Sequence, residues 1–207
     1  MAQVHLIDHP LVQHQLTILR DKETPPEQFR PLVKELSLLL AYEAARNLPT
    51  TETELETPVG PTRGVRLAGP VCLVPILRAG LAMADGILRL FPNARVGHIG
   101  LYRDPDTTQP VTYYSSFPPD VKNLPILVLD PMLATGGSAV AGVRMVKEAG
   151  GQAISFLALV AAPEGIAAFH RAHPDVPVYT AAVDQGLNDK AYIVPGLGDA
   201  GDRLYGT

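Results

Sequence analysis

Residues 126–138 read Ile-Leu-Val-Leu-Asp-Pro-Met-Leu-Ala-Thr-Gly-Gly-Ser, and this stretch decides which fold the chain adopts. Its four leading apolar residues predict a short buried strand that runs into Asp130, and residues 134–138 predict the start of a helix. Glycines in such a turn let the backbone approach a ligand closely, and the first N–H groups of the helix attract an anion. The stretch therefore indicates an α/β protein that binds a phosphorylated sugar. It is not a P-loop, because no lysine follows Gly136 and Gly137.

On both sides of this stretch, apolar strands alternate with amphipathic helices. Strands that are apolar throughout and separated by helices predict a parallel sheet with both faces covered. We expect strands at 71–76, 95–102, 126–130, 153–160 and 178–183, and helices at 10–20, 24–48, 81–90, 138–149 and 163–170. Thr24 and Glu27 predict a capping box at the start of the second helix. Residues 51–69 predict an exposed hairpin arm, and a long polar loop is expected after residue 102.

Length and composition narrow the class of protein further. A chain of 207 residues, 46% of them hydrophobic, predicts a single well-packed domain rather than a disordered chain. No apolar run reaches the ~18 residues of a membrane span, and the N-terminal residues lack the pattern of a signal peptide. We therefore expect a cytoplasmic protein with no membrane partner. A formal net charge of −4 gives no support to general nucleic-acid binding.

Cysteine and histidine chemistry is not favoured by the sequence. The single cysteine, Cys72, lies in an apolar run and is interpreted as an inert core residue rather than a nucleophile. His5 with His9, and His170 with His173, have helix-like spacings, but neither pair has a third ligand nearby. Surface or helix-capping roles are therefore favoured over a metal site.

Polar residues follow other predicted strands at the edge where such sheets bind ligands. Arg78, beside Ala79 and Gly80, offers a guanidinium and exposed backbone donors that suit a polyanion. Arg103 opens the long polar loop, so that it can close over a bound anion. Two arginines and a phosphate cradle at adjacent strand ends favour a pyrophosphorylated sugar. The C-terminal segment 192–202 holds three glycines, one proline and two acids.

Several segments together resemble one known family. Residues 130–138 resemble the phosphoribosyl-pyrophosphate (PRPP) signature of type I phosphoribosyltransferases, in the form that uracil phosphoribosyltransferases use. Residues 74–80, 161–165, 184–188 and 195–202 are also similar to that family. The resemblance spans nearly the whole chain and is weakest at residues 51–69 and 104–124. Many relatives in the wider superfamily carry two adjacent acids where this chain has Asp130 and Pro131. The uracil family shares this substitution, which leaves one carboxylate for the ribose hydroxyls.

The resemblance implies a fold, a reaction and a set of site residues. The implied fold is the type I phosphoribosyltransferase fold: a parallel sheet flanked by helices, with N-terminal helices, a hairpin arm and a C-terminal base-binding hood. The implied reaction is a pentosyl transfer from PRPP to N1 of uracil, which gives UMP and diphosphate in pyrimidine salvage. Catalytic roles are implied for Asp130, Arg103 and Asp199. PRPP binding is implied for Arg78, Arg103, Asp130, Pro131, Met132, Leu133, Ala134, Thr135, Gly136, Gly137, Ser138 and Asp199. Uracil binding is implied for Ile193, Gly198, Asp199 and Ala200.

Cofactor, partners and assembly follow from the same resemblance. Mg²⁺ is expected to arrive with PRPP, without direct protein ligands. We expect one domain over residues 1–207, with the arm at 51–69 and the base-binding hood at 184–207. GTP is an expected activator, and a homodimer or homotetramer is the expected assembly. Nucleic acid is not an expected partner.

Two alternatives remain at this point. The first is a phosphoribosyltransferase for hypoxanthine, orotate or xanthine, against which the C-terminal segment and the pair Asp130 and Pro131 both argue. The second is an RNA-binding regulator built on the same fold. That interpretation predicts a basic face, whereas the chain is mildly acidic.

Overall fold

The computed structural model describes residues 3–103 and 110–207. The helices are α1 (Pro10–Arg20), α2 (Pro26–Ala44), α3 (Gly80–Ile87), α4 (Gly137–Glu148), α5 (Pro163–Ala172) and α6 (Ala200–Tyr205), with a 3₁₀ helix at Val121–Asn123. The strands are β1 (Val4–Leu6), β2 (Thr50–Thr57), β3 (Gly60–Leu67), β4 (Cys72–Leu77), β5 (Arg95–Val96), β6 (His98–Arg103), β7 (Pro110–Ser116), β8 (Ile126–Leu129), β9 (Met132–Leu133), β10 (Ile154–Ala161), β11 (Val178–Val183), β12 (Gly186–Leu187) and β13 (Ile193–Val194).

The main sheet has the strand order β1-β11-β10-β8-β4-β6-β7. Its neighbouring strands run parallel, except that β7 pairs antiparallel with β6. The chain adds β6 on one side of β4 and then β8 on the other side, so the strand order reverses between β4 and β8. In sheets of this kind, ligands bind outside the carboxyl ends of the strands at such a reversal. The predicted sheet covered by helices is confirmed.

Each face of the sheet is buried under its own layer of helices. Alternate residues of the strands point to opposite faces. Leu73 and Leu127 therefore pack with α1, α2 and α3, whereas Val74 and Val128 pack with α4 and α5. This double burial explains why the strand sequences are apolar throughout instead of alternating. None of the helices in the described residues is long and apolar enough to span a membrane.

Several sequence-based boundaries need correction. The predicted strand at 95–102 is interrupted at Gly97, so that it forms β5 and β6. The stretch interpreted as a long polar loop contains β7, because its tyrosines and threonine pair with β6. The capping box predicted for Thr24 and Glu27 is wrong. Pro25 is the N-cap of α2 without a side-chain hydrogen bond, and the Thr24 hydroxyl instead donates to the carbonyl of Ile18 at 2.6 Å.

The segment between α2 and β4 forms a two-stranded antiparallel hairpin. β2 and β3 pair over their full lengths, from Thr50 with Leu67 to Thr57 with Gly60. These strands form a sheet of their own, separate from the main sheet. Val59 at the tip is 98% exposed and Val65 is 70% exposed, so the hairpin projects apolar side chains into solvent. An isolated hairpin of this kind has little stability alone.

Candidate active site

The carboxyl ends of β4 and β8 lie side by side and begin the candidate site. Pro75 of β4 is in register with Leu129 of β8. Gly80, the first residue of α3, packs against the carbonyl of Leu129 so closely that a Cβ atom would clash with it. Because of this close approach, the turn that carries Arg78 lies against the strand that leads into Asp130. The two predicted site segments therefore meet at the reversal of strand order.

Arg78 lies in the turn between β4 and α3, and its side chain is exposed. Its guanidinium carbon lies 5.3 Å from the centroid of the Tyr205 ring, and its carbonyl accepts a hydrogen bond from the Tyr205 hydroxyl at 3.1 Å. Among the residues that the structure describes, Arg78 forms no ion pair. Its positive charge is thus available to an anionic ligand at the strand ends.

The phosphate cradle consists of residues 130–139. A cavity of about 110 Å³ is lined by this segment alone: Asp130, Met132, Leu133, Ala134, Thr135, Gly136, Gly137, Ser138 and Ala139. Gly136 is the N-cap of α4 and has a φ of 85°, a left-handed conformation that favours glycine. The backbone turns there and directs the first N–H groups of α4 toward the cavity, where the helix dipole favours an anion.

Helix α5 supports the cradle from behind. Gly165, in the first turn of α5, lies against the carbonyl oxygens of Leu133 and Ala134, and a side chain there would clash with both. A Cβ atom on Gly136 would in turn lie 2.9 Å from the carbonyl oxygen of Gly165. The cradle backbone therefore packs directly against Gly165, which does not line the cradle cavity. In the sequence, residues 161–165 resemble the family but carry no chemical pattern that predicts this support.

The C-terminal segment folds over the cradle as a hood. β12 and β13 pair antiparallel, and the N–H of Leu187 donates to Glu164 of α5 at 3.1 Å. A cavity of about 340 Å³ lies between the hood and the cradle. It is lined by Met132, Ala134, Lys190, Ala191, Tyr192, Ile193 and Asp199. The structure thus brings together residues predicted for PRPP and residues predicted for the base.

The residues predicted to bind uracil have different positions around this cavity. Ile193 and Asp199 line it. Gly198 has a φ of 79° and leads into Asp199, and Ala200 is the buried first residue of α6. Asp199 is also the N-cap of α6, since its Oδ1 accepts the N–H of Asp202 at 3.0 Å. This cap gives the carboxylate a structural role in addition to any role toward a ligand.

An ion pair fixes the turn in the middle of the hood. Asp184 has a side chain only 5% exposed, and it forms two hydrogen bonds with Arg20, at 2.6 and 2.8 Å. The same two side chains bind both backbone groups of Gly196. Arg20 donates to its carbonyl at 2.7 Å, and Asp184 accepts its N–H at 2.9 Å. The turn between Ile193 and Asp199 is therefore held by a residue that is distant in sequence.

Arg203 forms a second anchor for the hood. Its guanidinium donates to the carbonyls of Leu19 at 2.7 Å and of Leu197 at 2.9 Å. It also lies over the Phe29 ring, 4.4 Å from the centroid. Burial lowers the pKa of Arg203, although Asp21 nearby partly counteracts this. Sequence reasoning missed Arg20, Arg203 and Tyr205, because no local pattern marks a contact across more than 120 residues.

Arg103, the second predicted pyrophosphate ligand, ends β6, and its side chain lies outside the part of the chain that the structure describes. Asp104, Pro105 and Asp106 of the predicted loop lie wholly outside it. The backbone of β6 does run beside β4, with Leu77 in register with Gly100. Strand β6 thus leads to the same edge of the sheet as β4 and β8.

A wider groove of about 820 Å³ lies on the other side of α4. It runs between α4, α5 and β7, and Arg144 and Arg171 are among its lining residues. It shares only Thr135, Gly136 and Gly137 with the cradle, and none of the hood residues lines it. The cradle and the hood define the candidate site better than this groove does, because they combine phosphate-binding geometry with a cavity that lies between two sets of predicted site residues.

Cys72 and three of the six histidines have structural roles. Cys72 is fully buried, and this burial raises the pKa of its thiol to about 11. Its interpretation as a core residue is confirmed. His9 caps α1 by accepting the N–H of Leu11 at 3.2 Å, and His5 stacks on Tyr179. His173 contacts the Val140 carbonyl at 3.0 Å, and burial lowers its pKa.

Comparison with known proteins defines first the class and then the family. The adenine phosphoribosyltransferase of Trypanosoma brucei, solved with AMP, pyrophosphate and ribose 5-phosphate, shares the fold at a TM-score of 0.56 and 16% identity, covering 93% of this chain and 86% of that one. The AQ2163 protein of Aquifex aeolicus matches at a TM-score of 0.93 and 38% identity over 98% of both chains. The fold, the cradle and the hood therefore define a type I phosphoribosyltransferase.

Sequence comparison gives the family within this class. The family model described as uracil phosphoribosyltransferase matches residues 6–207. The uracil phosphoribosyltransferase of Symbiobacterium thermophilum is 60% identical over 208 residues, which cover 100% of both chains. The chain belongs to the uracil phosphoribosyltransferase family.

Proposed function

We propose that this chain transfers the 5-phosphoribosyl group of PRPP to N1 of uracil and releases UMP and diphosphate. Besides family membership, one structural observation supports this proposal. The 340 Å³ cavity is bounded on one side by Met132 and Ala134 of the phosphate cradle and on the other by Ile193 and Asp199 of the hood. A base held in this cavity lies next to a sugar whose phosphate occupies the cradle.

In this proposal, the cradle and the strand ends bind different parts of PRPP. Backbone N–H groups and hydroxyls of residues 134–138 hold the 5-phosphate at the start of α4. Asp130 accepts hydrogen bonds from the ribose hydroxyls, with Pro131, Met132 and Leu133 shaping the wall beneath. Arg78 and Arg103 bind the diphosphate through their planar guanidinium groups. The exposure of Arg78 and its lack of an ion pair among the described residues support this role.

Mg²⁺ is proposed as a cofactor that arrives bound to PRPP. Among the described residues, Asp130 supplies the only carboxylate that lines the cradle cavity. The same residues contain no cluster of three metal-ligating side chains. These features fit a cation that is held mainly by oxygens of the substrate and by water. When bound, this ion neutralises charge on the leaving diphosphate. Asp130 would be the carboxylate of this chain that lines the cradle when PRPP and its cation are bound.

Uracil is recognised in the proposal by main-chain groups of the hood. The base presents alternating acceptors and donors, and the backbone at Ile193, Gly198, Asp199 and Ala200 can match them. The left-handed turn at Gly198 supports this role, because it leads directly into Asp199, which lines the cavity. Cytosine would place its exocyclic amine against a donor and leave buried polar groups unpaired.

Asp199 has two candidate roles that one substitution separates. Its carboxylate caps α6, and it also lines the base cavity, where we propose that it accepts the N1 proton of uracil. Asparagine caps a helix as well as aspartate does but accepts no proton. Turnover of Asp199→Asn that equals the wild-type value would therefore exclude proton transfer to Asp199.

The proposed reaction exchanges one bond at the anomeric carbon for another. The bond from C1′ to the diphosphate oxygen breaks with its electron pair on diphosphate, the bond from C1′ to N1 forms, and the N1 proton departs. Positive charge develops on the ribose ring, and the Asp130 carboxylate stabilises it. Positioning of the two substrates supplies much of the remaining acceleration, so no protein nucleophile is needed.

Assembly, regulation and location remain predictions. The projecting β2–β3 hairpin, with Val59 and Val65 exposed, supports a contact between copies in a homodimer or homotetramer. Analytical ultracentrifugation of the whole chain measures this state. GTP activation rests on the resemblance alone, and the cytoplasmic location rests on the sequence pattern alone. Titration of the enzyme with GTP at sub-saturating uracil tests the former.

The proposed function is tested by diphosphate release from PRPP. We expect release that depends on uracil and on Mg²⁺, and none with hypoxanthine, orotate or xanthine as the base. Release with one of those bases and not with uracil would assign the chain to another phosphoribosyltransferase specificity. An absence of release with every base would contradict the proposal.

A further inference from the structure

Tyr205, the last residue of α6, contacts Arg78 in two ways. Its hydroxyl donates to the Arg78 carbonyl at 3.1 Å, and its ring lies under the Arg78 guanidinium, 5.3 Å from the guanidinium carbon to the ring centroid. The N-cap of the same helix is Asp199, which lines the base cavity. One short helix therefore reaches from the base cavity to the turn that carries Arg78.

The two contacts act on different parts of Arg78. The hydrogen bond holds the backbone of the turn, whereas the ring attracts the guanidinium and limits the rotamers that it samples. A guanidinium that lies over a ring keeps its N–H edge available for bidentate contact with phosphate oxygens. A side chain ordered in advance loses less freedom when the anion binds, so the affinity for the anion rises.

Tyr205 has little part in holding α6 in place. The residue is 40% exposed, whereas its neighbour Leu204 is 1% exposed and packs in the core. Arg203 binds α6 to the end of α1 through backbone carbonyls such as those of Leu19 and Asp21. Loss of the Tyr205 side chain therefore leaves the main anchors of the helix intact.

We infer that Tyr205 is a positioning residue for Arg78, and that it prepares this arginine to bind the diphosphate group of PRPP and of the product. The inference rests on the proposed role of Arg78 as a diphosphate ligand. It predicts weaker binding of PRPP and diphosphate when Tyr205 is replaced, with the binding of uracil unchanged. A role in general stability would instead affect every kinetic constant and the melting temperature together.

Three variants of the full-length enzyme test this inference. Tyr205→Phe removes the hydroxyl and keeps the ring, and Tyr205→Leu removes both contacts. Tyr42→Leu deletes another exposed tyrosine, on α2, as the control. We expect Tyr205→Leu to raise the KM for PRPP and the inhibition constant of diphosphate by about 2- to 5-fold. Tyr205→Phe should show a smaller change. The KM for uracil and the melting temperature should remain unchanged, as should every constant of Tyr42→Leu.

A double-mutant cycle with Arg78→Gln completes the test. If Tyr205 acts through Arg78, Tyr205→Leu has no further effect on diphosphate inhibition in the Arg78→Gln background. An effect of equal size in both backgrounds, or none in the wild-type background, overturns the inference while Arg78 remains a ligand. If Arg78→Gln itself leaves diphosphate inhibition unchanged, the proposed role of Arg78 fails, and the inference fails with it.

Discussion

At the residue scale, the candidate chemistry depends on one carboxylate. Asp130 follows the central strand β8 and lines the phosphate cavity, and the next residue is Pro131, which carries no second acid. In the proposed reaction, a carboxylate in this place would face the ribose ring, where positive charge develops. No neighbouring side chain of the 130–138 segment is a second carboxylate that could substitute for it.

Asp130→Asn is therefore expected to slow turnover while substrate binding changes less. Removal of one preorganised group that stabilises transition-state charge lowers kcat by roughly 10²- to 10³-fold. Steady-state kinetics with uracil and PRPP measure this loss. Asp85→Asn, which removes an acid that pairs with Lys34 on the surface of α3, is the matched control and should keep its turnover. Turnover of Asp130→Asn within a few-fold of wild type would contradict the assignment.

Cys72 gives a second prediction at this scale. Burial raises the pKa of its thiol to about 11, so almost no thiolate exists near pH 8 in the folded protein. Ellman's reagent should therefore leave the native enzyme unmodified and active. In denaturant, the same reagent should titrate one thiol per chain, because Cys72 is the only cysteine. Fast modification of the native enzyme with loss of activity would instead indicate a functional thiol.

At the scale of elements, α5 supports the phosphate cradle although none of its residues lines the cradle cavity. Gly165 of α5 touches the carbonyls of Leu133 and Ala134, so the cradle backbone rests directly on the helix. A methyl group at this position has no space and would push the cradle backbone away from α5. The geometry of the cavity therefore depends on a helix that precedes the hood in the chain.

Gly165→Ala is expected to weaken PRPP binding. Overpacking of this kind costs about 1–3 kcal/mol, and 1.4 kcal/mol corresponds to tenfold in affinity, so we expect the KM for PRPP to rise about tenfold. Gly69→Ala is the matched control, because no atom lies within 4 Å of a Cβ built at Gly69. A KM for PRPP equal to that of the control would show that α5 does not support the cradle.

The pair of Arg20 and Asp184 joins α1 to the hood and gives a prediction on stability. Arg20→Met leaves the buried carboxylate of Asp184 without its partner, which costs about 3–5 kcal/mol of the free energy of unfolding. Lys147→Met breaks an exposed pair with Asp175 and should cost no more than about 1 kcal/mol.

Chemical denaturation of both variants measures the difference between the two pairs. The double variant with Asp184→Leu should recover part of the loss, since no buried charge then lacks a partner. Equal costs for Arg20→Met and Lys147→Met would contradict the view that this pair anchors the hood.

Some helices and strands could be predicted from the sequence, and others could not. The bounds of α1 and of β11 are as predicted, because a proline start and an apolar run mark them locally. Strand β7 was missed, since its polar face resembles a loop and only its pairing with β6 makes it a strand. The short strands β12 and β13 were missed for a similar reason. Tertiary pairing, and not local propensity, defines them.

At the scale of the whole molecule, the site is assembled from segments that are far apart in the chain. The sequence identifies the ends of β4 and β8, the cradle and the C-terminal segment, because each carries a chemical pattern of its own. The contacts between those segments have no such pattern. Arg20 bonds to Asp184 and Gly196, and Tyr205 bonds to Arg78, only because the sheet and its helices bring them together.

The molecule as a whole places a phosphate cradle and a hood around one cavity. This arrangement suits a reaction between a pyrophosphorylated sugar and a base whose edge the backbone recognises. Since the hood is held by Arg20, Arg203 and Glu164, recognition of the base depends on contacts outside the cavity. The central claim is that this cavity selects uracil.

The ratio of kcat/KM for uracil to that for cytosine, measured with PRPP by direct detection of the nucleotide product, tests this claim most directly. A site that matches the edge of uracil with buried hydrogen bonds should reject cytosine by roughly 10⁴-fold or more. We predict that UMP is formed from uracil and that almost no CMP is formed from cytosine. Comparable rates with both bases, or no UMP from uracil and PRPP, would contradict it.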